Sequence, residues 1–266
     1  MDIQSEIILN NRSVIEVYGE ETFDFLQSIV TGDLSSLLKG ASVAACLLSP
    51  QGRVLFDFIL HKNFKQQNDL SVFVDCEKDE TEEIIRKLNL YRLRSKVEIK
   101  KLIDFKVCLC PSETINSTPD PRHLKLPSRI ILDGGPYTIN QEIELEYNKL
   151  RHQLCIPEGS KEIPRGEALP LDYWMDKIGH ISFNKGCFVG QEVTARIFYR
   201  KKIRRRLMIV DSDFHDFSKD DALKKEFKLI TKTIGRTFYL VSVQYLESLK
   251  SNFIIYKGKN IEFYLF

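Results

Sequence analysis

The apolar positions of this chain fall into two spacings that take turns along its length. Residues 13–18 alternate in part as a strand does. Beyond Gly19, Phe23, Leu26, Ile29 and Val30 recur at helical spacing behind Glu20 and Glu21, acids suited to a helix start. Residues 41–48 and 54–61 read as two strands, and Ser49-Pro50-Gln51-Gly52 between them carries the proline and glycine of a hairpin turn. A strand around 70–74 leads into the acidic stretch 79–83, where Ile84, Ile85 and Leu88 predict a helix ending near Asn89. Residues 105–110 and 129–132 predict strands separated by 111–127, a stretch rich in Pro, Ser and Thr expected to be a long mobile loop. Ile143, Tyr147, Leu150 and Leu154 mark an amphipathic helix closed by Ile156-Pro157-Glu158-Gly159. Val193 and Ile197 predict a further helix starting near Val189. Near the end, strands are expected at 241–243, 253–256 and 261–266, with a turn over 257–260, after an acidic, helix-like run over 211–226. Antiparallel hairpins interleaved with single helices give an α+β architecture, not a doubly wound parallel sheet.

At 266 residues, 43% apolar and 29% charged, the chain has ordinary globular composition and room for two or three domains. A net charge of +2 makes no global field for nucleic acid or membrane, so any such role must be local. The six cysteines, at 46, 76, 108, 110, 155 and 187, form no Cys-x-x-Cys pair, which argues against a zinc ribbon or a ferredoxin-type cradle and for a reducing compartment. Cys108 and Cys110 share a strand face and read as core packing. The five histidines lack metal-ligand spacing, and no glycine-rich nucleotide loop is present. The acidic start shows neither a secretory core nor an Arg-rich leader, and no apolar run approaches the roughly 20 residues that span a bilayer. A bacterial, cytoplasmic protein without membrane or nucleic-acid partners is expected.

The densest chemistry lies in Asn184-Lys185-Gly186-Cys187-Phe188-Val189-Gly190-Gln191-Glu192-Val193-Thr194-Ala195-Arg196. Gly186 and Gly190 permit positive φ or close approach of another group. Cys187 falls just ahead of a helix N-terminus, where the helix dipole, Lys185 and Arg196 favour thiolate over thiol. Equally, a lone cysteine reads as packing, free cysteine being among the most buried residue types.

The run Lys185-Gly186-Cys187-Phe188-Val189-Gly190-Gln191-Glu192 resembles the signature of the YgfZ/IBA57 family of folate-binding-fold proteins in iron–sulfur cluster assembly and repair. Thr31-Gly32-Asp33-Leu34, Leu48-Ser49-Pro50-Gln51-Gly52-Arg53-Val54 with Asp57, and Tyr91-Arg92-Leu93-Arg94-Ser95-Lys96-Val97 resemble other segments of that family, in order. The resemblance is weakest beyond Lys202. It implies the aminomethyltransferase-like (GcvT-like) folate-binding fold: two ferredoxin-like sub-domains around a central cleft and a small C-terminal β-barrel. The implied division is 1–40 with 128–196, then 41–127, then 203–266.

A folate offers a pterin edge of adjacent N–H donors, an aromatic middle and a carboxylate-bearing tail. Asp57 and Glu192 are the carboxylates expected to grip the pterin edge in a charge-assisted pair. Gln191 lies beside them. Phe188, Tyr173 or Trp174 are expected along the ring, and Arg94, Arg196 or Arg200 at the tail; Arg196 and Arg200, four apart, also read as a plain solvated helix face. Cys187 is the expected functional thiol, as redox partner, as a thiol reacting with oxidised cofactor or as a transient iron ligand, with Lys185 tuning it or meeting a partner's acid. One thiolate cannot hold a cluster that four cysteines commonly hold, so no stably bound metal or cluster is expected. The function implied is that of a tetrahydrofolate-binding accessory factor working with iron–sulfur assembly proteins and client 4Fe–4S enzymes. An enzyme sharing the fold, a tetrahydrofolate-dependent aminomethyltransferase or demethylase, is the alternative. A third reading, an RNA-associated module, draws on Arg200-Lys201-Lys202-Ile203-Arg204-Arg205-Arg206.

Overall fold

The computed structural model of the chain describes residues 6–64, 71–134, 139–211, 216–233, 235–256 and 259–266. Strands β1 (Ile7–Ile8) and β2 (Arg12–Tyr18) precede helices α1 (Thr22–Ile29) and α2 (Ser35–Leu38), and the expected hairpin follows as β3 (Val43–Leu48) and β4 (Val54–Lys62). Next come β5 (Ser71–Glu77), α3 (Thr81–Arg92), β6 (Glu98–Leu102), β7 (Phe105–Cys110), β8 (Ser128–Asp133) and α4 (Gln141–Gln153). The cysteine motif leads into α5 (Gln191–Tyr199), and β9 (Arg205–Val210), β10 (Phe227–Thr233), β11 (Arg236–Ser242), α6 (Val243–Ser248), β12 (Phe253–Tyr256) and β13 (Lys259–Tyr264) complete the chain.

Three antiparallel sheets result, in the orders β3-β4-β5-β2-β6, β1-β7-β8 and β10-β11-β9-β13-β12. In the first, strands β3, β4 and β5 are buried on both faces, which is why they read as near-continuous apolar runs, whereas β6 is an exposed edge. Ile15, Val17, Phe56, Phe58, Val72 and Val74 face α1, α2 and α3 through Leu26, Leu37 and Leu88. Val14, Cys46, Leu48 and Val54 face the opposite way, into a central core shared with β7, α4, residues 155–188 and β9. Cys46, Cys76, Cys108, Cys110 and Cys155 are all buried.

The sheet pairing divides the chain differently from the boundaries drawn on the sequence. Arg12–Tyr18 pairs with both Ser71–Glu77 and Glu98–Leu102. Residues 12–18 thus share a sheet with 43–102, because Val14, Ile15 and Val17 must all be covered. Stretch 111–127 is tied down rather than loose: Thr118 and Arg129 exchange two backbone hydrogen bonds, and Asp120 and Arg122 are buried. In place of an acidic helix, Phe217–Lys219 makes a single 3-10 turn that wedges Phe217 among Phe227, Tyr239 and Tyr256; residues 212–215 lie outside the described set. At Val243, where a strand was expected to continue, Ser242 accepts from the Tyr245 N–H and starts α6. Residues 257 and 258 of the expected turn are outside the described set. The C-terminal sheet leaves β10 and β12 unpaired to each other among the described residues. No helix among them is long and apolar enough to cross a membrane.

Candidate functional site

Cys187 is exposed, alone among the six cysteines. Its loop is held from three sides. Lys185 Nζ donates to the carbonyls of Val30 (2.7 Å) and Gly32 (2.9 Å), fastening the loop to the Thr31-Gly32-Asp33 strip. That strip is itself fixed: Thr31 Oγ1 accepts from the Cys46 N–H at 2.8 Å and donates to the His180 carbonyl at 2.6 Å. Burial pushes the Lys185 ammonium down to about 8, against the opposing pull of Asp33. On the second side Phe188 enters the central core while Val189 packs against the helix-covered core, so consecutive residues pin the loop to two cores. On the third, Gly190 adopts φ +79° against the β3–β4 turn; a Cβ there would lie 2.5 Å from the Ser49 carbonyl oxygen. Gly190 thus needs to be glycine for both of the expected reasons, whereas Gly186 has open space around it. Helix α5 starts at Gln191, two residues later than expected, and stacking of Phe183 on Phe198 at 4.1 Å closes the loop behind Cys187.

Three of the four sequence segments singled out therefore meet at Cys187. The fourth does not: Arg94 is exposed in the turn after α3, beside Gly19 and Lys96 in a separate cleft. Glu192 and Arg196 are both exposed and pair with each other at 2.7 Å on the solvent face of α5. Gln191 is half-buried at the helix start. Tyr173 is core, and Trp174 donates to the Leu207 carbonyl beneath the Arg206 guanidinium.

Asp57 lies elsewhere, in the middle of β4, 6% exposed, accepting from the Gly159 N–H at 3.1 Å. Around it is a cluster the sequence did not reveal. Arg12 grips Asp75 at 2.6 Å, Arg129 bridges Asp75, Tyr147 and Glu158, and Arg122 bridges Asp120, Tyr147 and Glu158. Burial alone would raise Asp75 and Glu158, but Arg12 and Arg129, helped by His61 at Asp75 and by Arg122 and Arg151 at Glu158, outweigh it and hold both well below the usual carboxylate range. Three arginines balance Asp75, Asp120 and Glu158, so Asp57 is the surplus acid. Burial, with Glu158 and Glu77 adding to it, pushes Asp57 up to about 6 against Arg12 and Arg122. A signal existed in the sequence only as charged residues interrupting apolar strands, as Arg129 does before Ile130-Ile131; nothing indicated that they would meet.

Arg12, Glu77, Arg151, Glu158, Gly159 and Glu162 line a cleft of about 610 Å³ whose rim carries Lys78, Lys149 and Lys161. Asp57 is buried behind Gly159 and does not itself line this cleft. The buried Arg151 Nε has no hydrogen-bond partner. Cys187, Phe188, Gln191, Glu192, Arg94 and Arg196 do not line it.

No family model matches the chain. The iron–sulfur cluster assembly factor IBA57 homologue of Neurospora crassa, a mitochondrial protein, is 30% identical over 227 residues, covering 75% of this chain and 52% of the relative. The mouse mitochondrial IBA57 is 30% identical over 233 residues, covering 76% and 64%. Over about three quarters of its length the chain is thus similar to mitochondrial IBA57 iron–sulfur cluster assembly factors. It spans between about half and two thirds of the length of the curated relatives it matches. Among solved structures, the glycine cleavage system aminomethyltransferase T of Bartonella henselae superposes with a TM-score of 0.68 at 13% identity, over 97% of this chain and 83% of that one, which establishes the expected α+β aminomethyltransferase-like fold. The relatives overturn one expectation: they are mitochondrial proteins, so the reading of a bacterial cytoplasmic protein, drawn from a missing leader, does not stand.

Proposed function

We propose that this chain is an accessory factor in the assembly or repair of 4Fe–4S clusters in client enzymes, acting through Cys187 in the compartment of its relatives. One observation carries the reading: the single exposed cysteine sits in a loop braced on three sides, with Lys185 spending its donors on main-chain carbonyls of a distant segment. A thiol that only filled space would need no such presentation. The other five cysteines are buried and unable to complete a four-sulfur cradle, so an iron contact at Cys187 draws its remaining ligands from a partner assembly protein or a client. Lys185 acts here as the brace of the thiol loop rather than as a reacting group.

Tetrahydrofolate is the proposed ligand of the 610 Å³ cleft, whose size suits a drug-sized molecule. The unpartnered Arg151 Nε and the rim lysines 78, 149 and 161 suit the carboxylates of a glutamate tail, and Glu77 with Asp57 behind Gly159 suits the donors of a pterin edge. Folate would supply one-carbon or reducing chemistry; the chain's own part is to bind and orient it. Glu192, Gln191, Phe188, Arg94 and Arg196 drop out of this cleft. Complementation of cells lacking the relative tests the thiol. A wild-type chain should restore client activity, and a Cys187→Ala chain that restored it equally would end the proposal. Calorimetric titration with tetrahydrofolate tests the ligand separately, and absence of heat at near-millimolar ligand would remove folate alone.

A further inference from the structure

The seven-residue basic run divides into two parts with different jobs. Arg205 donates to the carbonyls of Lys225, Glu226 and Leu240, and Arg206 pairs with Asp176 at 2.8 Å while lying 4.1 Å over the Trp174 ring. Those two are consumed by the fold. Arg200, Lys201, Lys202 and Arg204 are exposed and, among the described residues, make no ion pair or side-chain hydrogen bond. Of these four, Lys201 lines a groove of about 660 Å³ between α5 and α6, floored by Trp174, Phe198, Ile203, Val243, Leu246 and Leu265. Tyr199, 66% exposed, stands at its edge, and Lys177 and Lys201 line it. Of the acids there, Asp176 is held by Arg206, leaving only Glu247 against the free cations.

We propose that this groove docks an acidic protein segment, one or two large apolar side chains flanked by carboxylates. The floor is apolar and aromatic, which suits inserted side chains, and Lys177 and Lys201 against the single Glu247 leave the rim positive, which fixes the sign of the partner's flanks. A nucleic acid would leave Val243, Leu246 and Leu265 unused. The chain turns sharply at the rim: Lys201 adopts φ +50°, and its N–H and that of Lys202 close the end of α5 onto Phe198 and Ile197. That is the left-handed position at which helices favour glycine, so a lysine there sacrifices stability while holding a positive charge at the groove. The groove and Cys187 lie at opposite ends of α5, nine residues or about 13 Å long, so a docked segment would hold its parent protein beside the thiol. The proposal does not depend on the thiol reading, and its test leaves Cys187 untouched.

The test uses the full chain and fluorescein-labelled peptides of about twelve residues, read by anisotropy: one rich in Glu with two Phe, one with Ala in place of Phe, one with Lys in place of Glu, beside an oligouridine of like length. Binding confined to the Glu/Phe peptide, weakened about tenfold by Tyr199→Ala as for an interface anchor, is expected. Lys201→Gly should weaken it about threefold while raising the melting temperature, a combination that general unfolding cannot produce. Equal binding of the Ala peptide, tighter binding of oligouridine, or a Lys201→Gly chain with unchanged peptide affinity would overturn the proposal.

Discussion

Replacing Asp57 with Asn removes the one carboxyl that the buried arginines leave unbalanced. The side chain keeps its shape and an oxygen for the Gly159 N–H, so what changes is charge. Burial first, then Glu158 and Glu77, raise Asp57 from 3.8 to about 6 in the folded protein. At 1.36 kcal/mol per unit, that shift amounts to about 3 kcal/mol of preference for the protonated form, an upper bound for the effect. Because the folded value lies above the unfolded one, the stabilising contribution is complete below pH 4 and is lost as pH rises through 6. Above pH 7 the wild type carries an ionised, unbalanced acid and the Asn variant does not. Thermal melts of both chains from pH 4.5 to 8 should show little difference at the acid end. At pH 8 the variant should be more stable by about 1–3 kcal/mol, or roughly 2–10 °C for a chain of this size. If the pterin edge meets Asp57, tetrahydrofolate affinity should also rise with pH between about 5 and 7 in the wild type, because binding favours the carboxylate, and be flat in the variant. A gap in melting temperature that is constant across pH, or a variant less stable at pH 8, would refute the surplus-acid reasoning.

The remaining predictions concern the brace and the buried charges. Gly190→Ala places a Cβ in a left-handed residue against the Ser49 carbonyl and should cost about 2–4 kcal/mol in urea unfolding, whereas Gly186→Ala, with open space, should cost less than about 1. Arg129→Met leaves Asp75 and Glu158 short of a partner at a wholly buried position and should cost about 3–5 kcal/mol; a loss under 1 would mean the cluster rearranges freely. Lys185→Met frees the loop from Val30 and Gly32, and hydrogen exchange at residues 184–189 should accelerate without a matching change in β4.

The hairpin Ser49–Gly52, the strands beside it and the helix after Gly190 were legible because turn glycines and two-residue or helical apolar periods are local. The resemblance singled out Thr31-Gly32-Asp33, the Ser49–Gly52 turn and Lys185–Cys187 as separate segments in order, but not that they would converge, since they lie up to about 150 residues apart and nothing local joins them. Four expected ligand residues do not line the 610 Å³ cleft, for simple reasons: Phe188 is large and apolar and seeks the core, Glu192 and Arg196 satisfy each other one helical turn apart, and Arg94 projects from a turn into solvent. The charge cluster escaped notice because it needs an arginine or acid from β2, β5, β8, the 111–127 stretch and the turn at Glu158, each unremarkable alone. Strand β6 was missed as well, its Lys100 and Lys101 belonging to an exposed sheet edge that charges protect.

The central claim is that an exposed sulfur in a braced loop is the working group. It is tested most directly by measuring aconitase activity, as a 4Fe–4S client, in cells lacking the family member and supplied with either the wild-type or the Cys187→Ala chain at matched abundance. Activity should be restored with the first and stay deficient with the second, whose melting temperature should equal that of the wild type because the side chain removed is exposed. Full restoration by the alanine chain would contradict it.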